Sequence, residues 1–309
     1  MHNKNPHKGG YDMDALVKSL PELSKHIIQA PNGRKSINFS DSLSVKLLNK
    51  SLLKCHYGID YWDIPRGFLC PPIPGRMDYL LAVADEINKK AVVDSTVQAL
   101  DIGTGANLIY PILGATHLDW QWIASDVEQK SIDNAKTIIE KNSALKDTVH
   151  VRKQGQPKHI FNGVIKEGEF FDVTMCNPPF HGSQEEAMKG SERKNKNLQR
   201  NKGKRLSKLK GSKVQGSKVQ ENAKDNLNFS GQSNELWCDG GERRFVSKMI
   251  TESERYKKQV GLFTCLISKK DNVAPLLKQL NKLGAQSKTV EMAQGNKISR
   301  FLAWSFSDV

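Results

Sequence analysis

Val97-Gln-Ala-Leu-Asp-Ile-Gly-Thr-Gly-Ala106 reads as a short apolar strand ending in a glycine-rich turn, and Val173-Thr-Met-Cys-Asn-Pro-Pro-Phe180 as a later strand ending in a rigid one. Between and beyond them, strand and helix patterns alternate. A helix is predicted over Leu108–Leu113, a strand over Trp122–Ser125 ending at Asp126, a helix over Glu128–Lys141 and a strand over Val149–Arg152. The strand Phe171–Cys176 is followed, further on, by a helix over Glu242–Tyr256, a strand over Val260–Ile267 and a helix over Val273–Leu283. Strands separated by helices imply a mostly parallel sheet covered on both faces. The last two strands, Thr289–Met292 and Arg300–Phe306, have no helix between them, so they are expected to pair as an antiparallel hairpin. The expected fold is therefore α/β, a Rossmann-like doubly wound sheet closed by an antiparallel C-terminal hairpin.

Upstream, residues 1–75 are mixed and rich in turn formers, and are expected to form an extension to a main domain over 76–309. Asp14–His26 has helical spacing of leucines, and Leu43–Leu53 is a second helix with Ser42 as N-cap. Phe68-Leu-Cys-Pro-Pro-Ile-Pro-Gly75 should be extended, because its prolines exclude a helix interior; helical spacing returns over Arg76–Lys89. No apolar run approaches the ~20 residues a membrane span needs. Met1–Gly10 is polar and lacks the apolar centre of a signal peptide, so a cytoplasmic protein is expected. The five cysteines are scattered singly, which indicates reduced thiols rather than a zinc site or a disulfide framework.

The positive charge is concentrated in one place. Arg193–Gln220 holds eleven Lys and Arg and no acid, which accounts for +11 of the chain's net +14. It contains a tandem repeat, Gly211-Ser-Lys-Val-Gln215 and Gly216-Ser-Lys-Val-Gln220, and no aromatic residue. Such a stretch buries too little surface to offset its ordering entropy, so a disordered basic insertion is expected over about 193–225. It is read either as an arm attracting nucleic-acid phosphates without reading sequence or as a solvated expansion with no role.

Ligands of doubly wound sheets bind beyond the carboxyl ends of the strands. At the first such end, Asp101-Ile-Gly-Thr-Gly105 can turn tightly and admit a ligand to its backbone, because Gly103 and Gly105 lack a Cβ. Position 108 is Leu, which departs from the dinucleotide fingerprint, and no Gly-Lys-Ser/Thr ending marks a P-loop. Asp126, at the second strand end, suits the hydroxyls of a ribose, or alternatively caps the following helix. Asn177-Pro-Pro-Phe180 decides the chemistry. Two prolines at a strand end turn the chain outward, and the Asn177 side-chain oxygen and the Pro178 carbonyl can then accept two hydrogen bonds from one amino group. Phe180 offers a stacking face for a base.

Together these motifs resemble amino-group methyltransferases that use S-adenosylmethionine, with the class I fold. Such enzymes act on adenine in DNA or RNA, or on protein glutamine. Further stretches narrow the resemblance: Asn5-Pro-His-Lys8, Trp62-Asp-Ile-Pro65, Leu69-Cys-Pro-Pro-Ile-Pro-Gly-Arg76, Gly190-Ser-Glu-Arg193, Glu235-Leu-Trp-Cys238, Gly240-Gly-Glu242 and Glu291-Met-Ala-Gln-Gly295 are similar to the ribosomal RNA large-subunit methyltransferase F family. The similarity covers nearly the whole chain except about 194–225. It implies methylation of the exocyclic amino group of one adenine in 23S rRNA; the expected partner is 23S rRNA or a large-subunit assembly intermediate, and the expected state a monomer. Protein glutamine, DNA adenine, or a catalytically silent RNA-binding role in ribosome assembly are the alternatives. The resemblance implies a cofactor site of Arg76, Asp101, Gly103, Thr104, Gly105, Asp126, Gln154 and Asn177, and a catalytic loop of Asn177, Pro178, Pro179 and Phe180. Arg76 would meet the cofactor carboxylate and Gln154 its adenine. Lys4 and Lys8 in the extension, with Arg193, Lys194 and Lys196, are the expected RNA contacts. His181 reads as an ordinary loop histidine, and no metal is expected.

Overall fold

The computed structural model describes residues 1–89, 96–179, 182–183, 238–294 and 297–306. Phe180, His181, Arg193, Lys194, Lys196, the tandem repeat and the rest of the basic insertion lie outside the described residues.

Seven strands form one sheet: β3 (Gln98–Ile102), β4 (Gln121–Asp126), β5 (Val149–Lys153), β6 (Phe171–Cys176), β7 (Val260–Ile267), β8 (Ala285–Gln294) and β9 (Lys297–Phe306). Their spatial order is β5-β4-β3-β6-β7-β9-β8. The five strands from β5 to β7 are parallel, and β9 pairs antiparallel with both β7 and β8. The doubly wound sheet with its antiparallel C-terminal hairpin is thus present. The chain winds outward from β3 through β4 and β5, then returns to β6 on the other side of β3. That reversal is the switch point at which such sheets open a crevice.

Helices cover both faces. On one lie α2 (Ser42–Tyr57), α3 (Ile73–Asn88) and α4 (Ile109–Leu118); on the other lie α7 (Gly241–Ser253) and α8 (Val273–Lys282). Neighbouring residues of β3 separate accordingly, Ala99 to one core and Leu100 to the other, as the strand pleat requires. The amphipathic α5 (Gln129–Glu140) and the single turn α6 (Ser143–Lys146) carry the chain from β4 to β5.

Several local expectations are corrected. The helix expected over Asp14–His26 divides into α1 (Met13–Ser19) and a 3-10 segment over Pro21–His26, because Pro21 has no N–H to continue the α-helical ladder. Leu16 and Leu23 nevertheless remain buried on the same side. The N-cap of α2 is Asp41, whose carboxylate accepts from the Ser44 N–H at 3.0 Å, and Ser42 is the first helical residue. α3 starts at Ile73, inside the stretch expected to be extended, with Pro74 in the first turn where its missing N–H costs nothing. β8 is longer than expected, and a two-stranded hairpin, β1 (Ile27–Gln29) with β2 (Lys35–Ile37), was not anticipated.

The N-terminal residues pack into the main core. Met13, Leu16, Leu23, Leu52 and Trp62 belong to one buried cluster with Tyr79, Ile112 and Trp122. Asn5 Nδ2 donates to the Pro74 carbonyl at 2.9 Å and to Asp78 at 2.6 Å, and Trp62 Nε1 donates to the Asn107 carbonyl at 2.9 Å. The boundary between residues 75 and 76 falls within the first turn of α3.

Candidate active site

Register brings the site together. Ile102 pairs with Ser125 on one side and Cys176 on the other, so Gly103, Asp126 and Asn177 leave the sheet at one level. They border a cavity of about 850 Å³, within the roughly 300–1,000 Å³ of small-molecule sites.

The β3 turn needs its glycines: Gly103 and Gly105 have φ of 74° and 64°, the left-handed region that side chains resist. Gly103 and Thr104 both donate their N–H to the Ser125 carbonyl at 2.9 Å, tying the turn to β4. Gly105 N–H donates to Asp126 Oδ2 at 2.8 Å, and Glu128 N–H to Asp126 Oδ1 at 2.8 Å. Each carboxylate oxygen of Asp126 therefore spends one lone pair on the backbone and keeps capacity for another donor. Capping of α5 falls to Glu128. Burial raises the Asp126 pKa above the ordinary carboxylate range, opposed by these N–H donors.

Asp101 lies beneath the turn rather than on the cavity wall. It is 1 % exposed, and neither oxygen has a hydrogen-bond partner among the described residues. The Thr104 hydroxyl is near enough to ease its charge without forming a well-aligned bond, and is itself unpartnered. Burial pushes the Asp101 pKa up to about 7, with the Asp126 charge adding to the effect and Arg76 opposing it.

Arg76, on α3, lines the cavity and donates from Nη1 to the Tyr110 hydroxyl at 3.0 Å. Gln154 also lines it, but its amide is engaged: Nε2 donates to the Asn162 carbonyl at 2.8 Å, and Oε1 accepts from Gln156 N–H at 2.8 Å. Its polar head thus braces the loop after β5 instead of facing a ligand freely. Asn177, Pro178 and Pro179 line the cavity, and Asn177 Oδ1 is buried with no hydrogen-bond partner among the described residues. Lys4 and Lys8 are exposed on the N-terminal segment.

Sequence reasoning missed other parts of the wall. Phe68, Leu69 and Ile160 supply apolar surface, and Arg244, Phe245 and Lys248 bring α7 to the cavity. The helix itself was expected over Glu242–Tyr256, but only the Gly240-Gly-Glu242 motif at its head hinted that it reaches the site. Glu242 holds the turn after β7, accepting from Ser268 N–H at 2.6 Å and Asn272 Nδ2 at 2.7 Å. Among the described residues no group of His, Cys, Asp and Glu could hold a metal ion, and no helix is long and apolar enough to cross a membrane.

The arrangement offers acceptors for hydroxyls at Asp126, a guanidinium at Arg76 and an unsatisfied amide acceptor at Asn177, around one apolar-lined space. A family model described as RNA methyltransferase matches residues 1–308. The chain is 51 % identical to a ribosomal RNA large subunit methyltransferase F of Vibrio cholerae, over all of this chain and 83 % of that protein. It is 49 % identical to one of Psychrobacter, over 99 % of this chain and 93 % of that protein. Among solved structures, the hMettl16 catalytic domain in complex with MAT2A 3′UTR hairpin 6 superposes with a TM-score of 0.76 at 30 % identity, covering 100 % of this chain and 98 % of that one. The N-terminal domain of human METTL16 in complex with SAH gives 0.73 at 29 %, covering 100 % and 99 %.

Proposed function

The chain belongs to the RNA methyltransferase family, and from that premise we propose that it transfers a methyl group from S-adenosylmethionine to the exocyclic amino group of an adenine in 23S rRNA. When bound, the cofactor supplies a methyl group on a positively charged sulfur. The residues present fit it. The cavity has the volume of a small-molecule site, Asp126 has acceptor capacity left over, and a Cβ added to Gly103 would meet nothing within 4 Å, leaving room against the backbone.

Asp126 takes the ribose hydroxyls, and Gly103, Thr104 and Gly105 form the floor beneath the nucleoside. Arg76, held by Tyr110, presents its guanidinium fork to the carboxylate. Asp101 supports the floor from below, and Gln154 shapes the adenine side through the loop it braces. Asn177 Oδ1 and the Pro178 carbonyl accept the two N–H bonds of the acceptor amino group and aim its nitrogen lone pair inward. Pro179 stiffens this turn, and Phe180 is assigned to stack on the base. After attack the nitrogen is positively charged and acidic, so its proton passes to solvent without a strong base.

The observation that carries this reading is the buried, unpartnered Asn177 Oδ1, placed at the switch point on the same cavity as Asp126. A buried acceptor without a donor is costly, and an amino group satisfies it. Residues 1–75 act as an RNA-binding extension to the methyltransferase domain over 76–309, with Lys4, Lys8, Arg193, Lys194 and Lys196 contacting phosphates. The enzyme works as a cytoplasmic monomer, on 23S rRNA or a large-subunit assembly intermediate. The test is incubation with labelled cofactor and, separately, deproteinised 23S rRNA, large-subunit particles, DNA and release-factor protein. Label in an N6-methylated adenosine of 23S rRNA is expected. Label only in protein or DNA, or in none, overturns the reading.

A further inference from the structure

We infer that α7 carries a nucleotide-binding subsite beside the acceptor pocket: Arg244 and Lys248 hold the backbone phosphate of a flanking nucleotide, and Phe245 offers its ring to that nucleotide's base. The inference rests on the RNA methyltransferase reading and extends it to residues that no motif had singled out.

Position is the first ground. α7 follows β6 and must run back to the start of β7, so its first turns lie at the sheet end where Asn177 emerges. Arg244, Phe245 and Lys248 all border the same cavity as Asn177 and Pro179. Arg244 and Lys248 are exposed, and four residues apart on a helix they stand side by side. Both also act electrostatically on the Cys238 thiol, which places them at one corner of the cavity.

Charge is the second. Glu252 continues the same face one turn further, at the spacing that would normally neutralise Lys248. Its carboxylate is committed elsewhere: it accepts from the N–H groups of Ile160 at 2.9 Å, Phe161 at 2.9 Å and Asn162 at 2.7 Å, and it is buried. Among the described residues, Lys248 therefore has no carboxylate within ion-pair distance. Among the described residues Arg244 pairs only with Asp239, at 2.5 Å, and both side chains are largely exposed, at 68 % and 83 %. Such a pair is solvent-screened and readily exchanged for a phosphate. A cation, an aromatic ring and a second cation at the rim of the cavity that admits the acceptor base are the combination that holds single-stranded nucleic acid.

The experiment uses the full chain and deproteinised 23S rRNA, with binding measured over a series of salt concentrations and S-adenosylmethionine affinity measured by calorimetry. The variants are Lys248→Ala, Lys248→Arg, Arg244→Ala/Lys248→Ala and, as a control for loss of charge, Lys278→Ala on α8. For Arg244→Ala/Lys248→Ala the slope of log affinity against log salt should flatten by about 0.7, the contribution of one phosphate contact, and for Lys248→Ala by part of that. Lys248→Arg should restore the slope, Lys278→Ala should leave it alone, and cofactor affinity should hold throughout. An unchanged slope in the double variant overturns the subsite. So does a loss confined to cofactor affinity, which would assign the cations to the cofactor carboxylate. If the unaltered chain labels no RNA, the methyltransferase reading itself fails, a result distinct from either.

Discussion

At the residue scale the site turns on three side chains. Asn177→Ala should leave the fold intact and cut single-turnover methyl transfer at saturating cofactor by about 10²–10³, the usual loss of one preorganised polar partner; near-normal turnover would remove Asn177 from the chemistry. Asp126→Ala should weaken S-adenosylmethionine binding by roughly 1.5–3 kcal/mol for each charged hydrogen bond lost. Because Asp126 also receives the Gly105 and Glu128 N–H groups, the same variant should loosen the β3 turn, seen as faster amide exchange there. Calorimetry with unchanged cofactor affinity would count against the ribose role. Asp101 adds a pH effect. Its folded pKa, raised by burial to about 7, exceeds the unfolded value near 3.9. The folded chain therefore keeps a proton that the unfolded chain has released, and stability is lost as pH rises between these values and levels off above them. Asp101→Asn should flatten that decline in urea unfolding series; parallel curves for the two proteins would show that Asp101 is ionised throughout.

Among the elements, those bounded by strong punctuation were readable. Phe171–Cys176 and Val260–Ile267 are apolar runs closed by turn signals, and the strands end where the runs do. The β1–β2 hairpin was not readable, because only Ile37 of its six residues is buried and no alternation marks it. β8 was caught only from Thr289 because it is an outer strand rich in polar residues, and its first half is defined by pairing with β9. The cavity was half legible for a related reason. Glycine and proline turns announce Gly103, Gly105, Pro178 and Pro179 from local chemistry alone, whereas Arg244 and Lys248 sit on an amphipathic helix whose polar positions look alike until its crossing over the sheet is known. Pro179 and Cys238, which flank the basic insertion in sequence, both border the cavity. Excising Lys194–Gln220 should accordingly lower RNA affinity and flatten its salt dependence, while methyl transfer survives at saturating RNA because the stretch supplies no reacting group. Identical salt slopes with and without it would make it a passive expansion.

At the scale of the whole molecule, the first ten residues are stitched to the element that carries Arg76. Asn5 grips the Pro74 carbonyl and Asp78, and the His2 N–H donates to Asp78 at 2.8 Å, so the first turns of α3 are held from outside. His7 secures the stitch, buried with Nε2 2.7 Å from the Tyr57 hydroxyl and its ring edge-on to His56. Burial, reinforced by the neighbouring His56 and His117, lowers the His7 pKa to about 4, against about 6.5 when unfolded. The native chain thus keeps His7 neutral where the unfolded chain takes up a proton. The resulting stability is present above about pH 6.5 and is lost as pH falls towards 4. This runs opposite to the Asp101 effect over nearly the same window, so the two should partly cancel in the unaltered protein. His7→Gln keeps a polar side chain without the titration, and its stability should fall more steeply than wild type as pH rises from about 4 to 7. Unfolding series at matched pH values read the difference directly, and superimposable slopes would show that His7 does not stay neutral in the fold. Cofactor affinity ties the stitch to function: Asn5→Ala frees the Pro74 end of α3, so it should weaken S-adenosylmethionine binding through Arg76 although Asn5 does not border the cavity. Unchanged affinity alongside lowered stability would confine the Asn5 contacts to holding the fold, with no coupling to the cofactor site.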